Sequence, residues 1–298
     1  MCKYGVVDIG SNTIRLEVYN VNENYMELFF KKKEFAGLAG YVKKGVMDDD
    51  GIQKTISVLK DYINICQLLG TKELFIFATA AIRNASNSKE IIDQVEEAIN
   101  HEIDLISGER EAELGFKAVT NQFGMESGVN IDIGGGSTEL TVYENGEFLV
   151  SKSFTQGALS LYTDYVSGIL PTDDEVKTMR KIVQKYIADE QISDKQRKTI
   201  FGVGGTMRLL NKMMKAYYKE DNGDVIKVKK LRKIYYLLLA QDREILKMVL
   251  KISPERIHLI TPGIIILMAI CDHLQVKEIM VCSSGVREGY LVSKIEGE

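Results

Sequence analysis

The chain has 298 residues, 45% hydrophobic and 27% charged, the balance of an ordinary globular protein able to bury sizeable cores. That balance excludes a disordered chain, a collagen and a small disulfide scaffold, and at roughly 100–200 residues per domain it predicts two domains. Thirty-eight Lys and Arg against 42 Asp and Glu give a net charge of −4, so there is no global basic field for duplex DNA and any polyanion must be met locally.

Tyr4 to Gly10 reads as a buried strand ending in a turn, and Ile14 to Tyr19 alternates at period two as its antiparallel partner, around the polar tip Gly10-Ser11-Asn12-Thr13. A third strand is expected over Met26 to Lys33. Ile52, Ile56, Leu59, Ile63 and Cys66 recur at helical spacing, and Leu74 to Thr79 is strand-like. Asn87 with Glu90 predicts a capping box for a helix through Asn100. Ile103 to Ile106 is a short strand that delivers Ser107-Gly108 to a helix over 109–120.

The pattern then restarts. Val129 to Gly134 is again a strand into a glycine turn, Gly134-Gly135-Gly136-Ser137-Thr138, followed by a period-two strand over Glu139 to Tyr143. Asn145-Gly146 is the hairpin signal before a strand over 148–154. Asp8 and Asp132, 124 residues apart, thus open two copies of one device, which predicts domains over 1–121 and 122–298. Further elements are a helix capped by Thr172 and Glu175, a strand over Thr199 to Val203, and a helix starting after Gly204-Gly205-Thr206. Helical patterns follow through 229–252 and 262–274, then a strand over Lys277 to Cys282 and a last helix after Ser284-Gly285. The three prolines form no linker, so the two domains are expected to meet across a cleft.

Cys2, Cys66, Cys271 and Cys282 form no CxxC pair, and His101, His258 and His273 show no ligand spacing. This fits a reducing cytosol and excludes a zinc site. No signal peptide precedes the first strand, and the longest apolar run, Gly263 to Cys271, falls far short of the roughly 20 residues that span a bilayer. The expectation is a cytoplasmic protein with no membrane partner.

Glycines let successive N–H groups of a tip turn toward one point, and the hydroxyls add donors, so both tips are candidate phosphate cradles. Each leads back into a strand, unlike a dinucleotide-binding turn. Asp8 and Asp132, at strand ends, are candidate ligands for Mg2+, which favours oxygen donors. Each would otherwise bond its own turn amides. Glu111 is the candidate base, although spacing does not separate it from Glu109 and Glu113, and acidic residues also suit a helix start. Arg15 and Arg83, read as lying just beyond strand ends, could neutralise phosphate oxygens. Gly204-Gly205-Thr206 is a third anion- or nucleotide-sized turn. Residues 195–233 hold twelve Lys and Arg against three Asp and Glu, a local +9 that includes Lys229, Lys230 and Lys233 and could carry a polyanion.

Taken in order, the blocks Val7 to Leu16, Ala78 to Asn87, Ile106 to Leu114, Asp132 to Leu140, Gly157-Ala158, Gly202 to Thr206 and Ser284 to Gly289 make a specific set. Through them the sequence resembles the exopolyphosphatase and guanosine pentaphosphatase (Ppx/GppA) family of the actin, sugar kinase and Hsp70 superfamily. The resemblance implies an α/β fold of two ribonuclease-H-like domains with an interdomain active-site cleft. It implies Glu111 as general base, Arg83 as phosphate-binding arginine, and Asp132 and Glu139 as the acidic pair for metal and water. The tips Gly10 to Thr13 and Gly134 to Thr138 match phosphate-binding loops. It also implies Mg2+ as cofactor, inorganic polyphosphate or guanosine pentaphosphate as substrate, a homodimer, and the short two-domain form. Two departures are Arg110 beside the base and Ser160 where a basic residue is common.

The expected activity is therefore metal-dependent release of terminal phosphate from polyphosphate, with guanosine pentaphosphate hydrolysis as the alternative. From other classes come a nucleotide or alarmone sensor with little turnover and an ATP-using kinase, since a fold does not fix a function.

Overall fold

A computed structural model describes residues 2–22, 25–125, 127–145, 147–189, 197–220 and 223–297. By packing the chain falls into two compact units, Met1–Glu111 with Arg287–Glu298, and Ala112–Val286. The boundary expected at 121/122 follows the restart of the motif pattern. The packing units divide ten residues earlier and return residues 287–298 to the first unit.

The first unit contains β1 (Cys2–Ile9), β2 (Ile14–Asn22), β3 (Tyr25–Glu34), a 3-10 turn at Leu38–Tyr41, the short pair β4 (Val42–Lys43) and β5 (Val46–Met47), and α1 (Asp49–Leu69). It continues with β6 (Glu73–Ala78), α2 (Ala80–Arg83), α3 (Ser88–Ile99), β7 (Asp104–Leu105) and the start of α4 (Gly108–Phe123). Its sheet order is β3-β2-β1-β6-β7, antiparallel among the first three strands and parallel thereafter. Val7, Ile9, Ile14, Leu16 and Val18 pack with Leu59, Tyr62 and Ile63 of α1 in one apolar core. Asp48 starts α1 by accepting from the Gly51 N–H, and Gly70, in the left-handed region, ends it.

The second unit repeats the plan with β8 (Gly128–Ile133), β9 (Thr138–Glu144), β10 (Glu147–Phe154), α5 (Ala158–Tyr165), α6 (Asp173–Asp189), β11 (Thr199–Val203) and α7 (Gly204–Tyr218). There follow β12 (Val225–Lys227), α8 (Val228–Leu239), α9 (Arg243–Ile252), a 3-10 turn at Pro254–Arg256, α10 (Ile260–His273) and β13 (Glu278–Val281), after which α11 (Val286–Glu296) returns to the first unit from Arg287 on. The order β10-β9-β8-β11-β13-β12 has the same meander followed by parallel strands, the ribonuclease-H-like arrangement. Because β8, β11 and β13 run parallel, the turns that follow all three lie along one edge of this sheet. No described helix is long and apolar enough to cross a membrane.

Several local expectations change. Asn87 does not cap α3 with its side chain; it bonds the Met47 N–H and carbonyl at 3.1 and 3.0 Å. The pattern over 229–252 is two helices, since Gln241 takes a left-handed conformation and Asp242 caps α9. Thr172 and Glu175 do form the expected reciprocal cap, and the backbone N–H groups of Thr172 and Ser167 hold the Glu175 carboxyl down at about 2. Gly146 of the hairpin signal lies outside the described residues.

Candidate active site

The first tip closes with Gly10 N–H on the Thr13 carbonyl at 3.1 Å. Ser11 O accepts from Ala39 N–H and Asn12 O from Gly37 N–H, both at 3.0 Å, so these two carbonyls are tied to the segment after β3. In a trans peptide the carbonyl of one residue and the N–H of the next point in opposite directions, so the amides of Asn12 and Thr13 face away from that segment. The Asn12 Nδ2, itself buried, has no hydrogen-bond partner among the described residues, a donor without an acceptor.

The second tip is built alike, with Gly134 N–H on Ser137 O at 2.9 Å. Here the start of α5 ties the carbonyls: Ala158 N–H reaches Gly134 O at 2.9 Å, and Leu159 and Ser160 N–H reach Gly135 O at 2.8 and 3.0 Å. The amides of Gly135 and Gly136 are thereby turned away from α5. Gly157 permits this approach, since a Cβ there would lie 2.5 Å from Gly135 O. Ser160, the departure from the family pattern, accepts the Gly157 N–H at 2.8 Å and so caps the helix that holds the tip. Two hydroxyls expected as phosphate donors have internal partners: Thr138 Oγ1 donates to Gln156 O at 2.8 Å, and Thr13 Oγ1 accepts from Arg15 Nε at 3.0 Å.

The hairpins match residue for residue. Asp8 lies opposite Arg15 across β1 and β2, as Asp132 lies opposite Glu139 across β8 and β9. Arg15 is thus the second residue of β2 and not beyond a strand end, because a four-residue tip brings the second strand in at once. Glu139 is buried and accepts from Ser153 Oγ at 3.1 Å. Beside each hairpin a threonine that follows the neighbouring parallel strand, at or near the start of the next helix, bonds the carbonyl that ends it, Thr206 Oγ1 on Ile133 O at 3.0 Å and Thr79 N–H on Ile9 O at 3.1 Å.

Ser107 Oγ caps α4 through the Arg110 N–H, and Glu109 and Glu111 lie in its first turn. Glu109 is exposed, whereas Arg83 Nη1 donates to Glu111 Oε2 at 2.8 Å. That pair is 17% and 14% exposed, which sets Glu111 apart from the exposed Glu109. Arg83 is the last residue of α2, one turn beyond β6, and also donates to Ile106 O at 3.1 Å.

Asp132 packs against Gly204, where a Cβ would meet Oδ1 at 2.1 Å and where φ is +87°, so only glycine fits. α7 begins at Gly204 and not after Thr206.

Two arginines enter that the sequence did not single out. The Arg256 guanidinium lies against Gly205, at the start of α7; burial and then Arg208 press its pKa down, Glu255 opposing. Arg287 donates to Asp8 Oδ2 at 2.9 Å and to Glu17 Oε2 at 2.8 Å. Arg287 stands in a quoted sequence block, but nothing marks its partners; Arg256 stands in none.

The basic stretch is partly paired where described; residues 195–196 and 221–222 lie outside the described ones. Lys230 pairs with Glu220 and lies over Tyr218, Lys233 lies over Tyr217, and Arg232 pairs with Asp272. Lys229 is exposed.

Residues 17–298 match the Ppx/GppA phosphatase family. The chain is 26% identical to exopolyphosphatase 1 of Mycobacterium tuberculosis over 99% of its own length and 89% of that protein's. It is 25% identical to the guanosine-5'-triphosphate,3'-diphosphate pyrophosphatase of Vibrio cholerae over 98% of this chain and 59% of that one. A crystal structure of the Aquifex aeolicus Ppx/GppA family member superposes with a TM-score of 0.81 at 25% identity, covering 100% of this chain and 99% of that one. An exopolyphosphatase from Cytophaga hutchinsonii superposes with a TM-score of 0.88 at 23% identity, covering 99% and 98%. With a match over nearly the whole sequence and the same fold in each unit, the chain belongs to the Ppx/GppA phosphatase family.

Proposed function

We propose that this chain is a magnesium-dependent exopolyphosphatase, hydrolysing the terminal phosphoanhydride bond of inorganic polyphosphate. The observation that carries the reading is the pair of tips whose carbonyls are tied back and whose amides face outward, an arrangement suited to anionic oxygens. The exopolyphosphatase name of the mycobacterial relative, matched over most of both chains, supports the same substrate.

Glu111 takes a proton from water as its oxygen attacks the terminal phosphorus; the bond to the bridging oxygen breaks and the shortened chain leaves as an oxyanion. Arg83 orients Glu111 and, with Arg15 and the tip amides, neutralises charge on the phosphoryl oxygens.

Asp132 and Glu139 are the residues that would hold Mg2+. Two hard oxygen donors opposed in register fit this ion, which usually keeps several waters and takes further oxygens from substrate phosphates. No group of three or more His, Cys, Asp or Glu able to hold a metal occurs among the described residues, and a site of two carboxylates needs none. Bound there, the cation supplies charge stabilisation at phosphoryl oxygens.

The second reading is hydrolysis of guanosine pentaphosphate, favoured by the match to the Vibrio cholerae pyrophosphatase. Phosphate release from long polyphosphate, tripolyphosphate and guanosine pentaphosphate, with and without magnesium, decides between the two, and Glu111→Ala should abolish release while retaining chain binding. Tight binding without multiple turnover would overturn both readings in favour of a sensor. A homodimer and a cytoplasmic location belong to the same proposal; light scattering tests the first and fractionation the second.

A further inference from the structure

The second unit holds a cavity of about 300 Å³ between three of its helices, at the lower end of the size that small-molecule sites take. α10 packs against α6 and α8, and Ile187 of α6, Tyr235 of α8 and Ile265 and Met268 of α10 form its apolar walls. The short side chains of Ala188 and Ala269 line it too, which leaves room where longer ones would fill the space between the helices. α6 and α10 end at Asp189 and His273, ahead of the parallel strands β11 and β13, whereas the Gly134 tip and the Gly204 turn follow the far ends of β8 and β11. The cavity, among the later turns of α6 and α10, thus lies toward the opposite edge of the sheet from the phosphate-binding tip, and the mechanism above gives it no role.

Its polar groups are unlike those of the tips. Arg180 is exposed and has no ion-pair or hydrogen-bond partner among the described residues. Tyr235 is only 5% exposed, yet its hydroxyl likewise has no hydrogen-bond partner among the described residues, a buried polar group that calls for an explanation. Burial raises the pKa of this phenol; Arg180 and Arg232 oppose the rise, and Tyr236 and Asp272 add to it, so it stays protonated near neutrality and is a donor. Asp272, the acidic lining residue, is engaged by Arg232, which donates from Nη1 to Oδ2 at 3.4 Å and from Nη2 to Oδ1. Gln184 and the half-buried His273 complete the polar side.

Apolar walls beside one unpaired cation and one unpartnered hydroxyl fit a single negative group that carries an apolar body. A carboxylate can accept from both donors with its two oxygens. A doubly charged phosphate would meet Asp272 with no second Lys or Arg in the lining, and inorganic phosphate would leave the walls unfilled. We infer that this cavity is a second ligand site, for a monocarboxylate with a compact apolar body, its carboxylate held by Arg180 and Tyr235 and its body among Ile187, Ile265 and Met268. An aromatic acid and a medium-chain fatty acid are two sources of that one chemistry. The site stands or falls separately from the phosphatase reading.

Calorimetric titration of the full chain with sodium hexanoate and with sodium benzoate tests this, hexan-1-ol and benzyl alcohol serving as the neutral analogues. At least one acid should bind with a Kd of about 1 mM or below, and its alcohol about 10-fold more weakly. Whichever acid binds the tighter supports the site and distinguishes a chain-like ligand from an aromatic one. Arg180→Gln should weaken the acid by about 10-fold and leave the alcohol unchanged, a split that a merely structural role would not produce. Tyr235→Phe should weaken the acid by about 5-fold, and Ala269→Leu, which fills the cavity, should abolish binding of both. Inorganic phosphate should be indifferent to Arg180→Gln; a loss there would make the cavity a phosphate site and overturn the assignment. Binding of neither acid, equal binding of an acid and its alcohol, or equal acid affinity in wild type and Arg180→Gln would also overturn it. Should Ala269→Leu fail to fold, Arg180→Gln, at an exposed position, and Tyr235→Phe still decide. Should the wild-type chain release phosphate from none of the substrates, the phosphatase reading fails while these titrations keep their meaning.

Discussion

One guanidinium, that of Arg83, joins helix α2 to the first turn of α4 by donating to Glu111 over 2.8 Å. The pair lies within one unit and is mostly shielded from solvent, so the orientation of the carboxylate depends on the arginine. Arg83→Met should lower kcat by about 100-fold, the order seen when one transition-state donor is removed. Arg83→Lys should recover only part of it, because an ammonium supplies charge without the planar fork. Steady-state kinetics on polyphosphate measure both, and a wild-type kcat in Arg83→Met would detach Arg83 from the chemistry.

Gly157 is the point at which the second tip is most tightly built. A methyl group there would press on the backbone of Gly134 and Gly135, which cannot swing aside as a side chain can. Gly157→Ala should break the bonds from α5 to the tip, lower the melting temperature by several degrees and weaken phosphate binding, on the order of 1–3 kcal/mol for overpacking. Thermal melts with and without inorganic phosphate show both effects. Ser160→Ala, which removes only the cap, should cost about 1 kcal/mol and leave binding nearly intact.

At Gly204 a side chain meets two obstacles, the positive φ and the Asp132 carboxylate. Gly204→Ala should therefore displace Asp132 and raise the magnesium requirement as well as cost stability, by about 1–2 kcal/mol from the backbone alone. Magnesium titration of activity, set beside a urea melt, separates the two effects. A melt shifted without any change in magnesium dependence would mean that Asp132 does not hold the ion.

The acid sensitivity of the first unit follows from Glu17 and Asp104. Burial raises the pKa of each carboxyl, but Arg287, with Tyr19 and Arg15, holds Glu17 below its ordinary value, and Lys294 with Tyr290 does the same for Asp104. A carboxyl lowered in the folded state contributes stability that is complete above its unfolded value and is lost as pH falls through its folded one. Stability against urea should thus be flat near neutrality and fall below about pH 4, and Glu17→Gln should flatten that fall. A pH profile identical in wild type and Glu17→Gln would show that Arg287 does not act on Glu17.

Among the basic residues, Lys229 is exposed whereas Lys230 is paired with Glu220. Lys229→Glu should weaken long-chain polyphosphate more than Lys230→Glu does, with a difference that shrinks as salt rises. Binding of long chains measured at two ionic strengths checks this, and equal effects of the two reversals would make the stretch solvated surface.

The two hairpins were legible in the sequence because everything that makes them is local: an alternating strand, an aspartate near its end, a short glycine tip and a second strand in register. Even the opposed pairs Asp8 with Arg15 and Asp132 with Glu139 follow from counting across a four-residue turn. What stayed hidden depends on partners distant in sequence. Arg287 meets Asp8 and Glu17 across separations of 279 and 270 residues, and no spacing rule connects them. Asn87 carries a good capping signal but is claimed by Met47, a tertiary contact that overrides the local one. The pairing of Arg83 with Glu111 likewise was not legible, because the arginine arrives from another helix.

Because residues 287–298 pack with the first 111, the first unit is not continuous along the chain. During synthesis its sheet can assemble early, yet Asp8 and Glu17 then wait for their shared counter-charge until translation has passed residue 287. A nascent chain that ends before Arg287 should accordingly hold a loosened amino-terminal unit, which leaves the earlier-made part as a late one to mature.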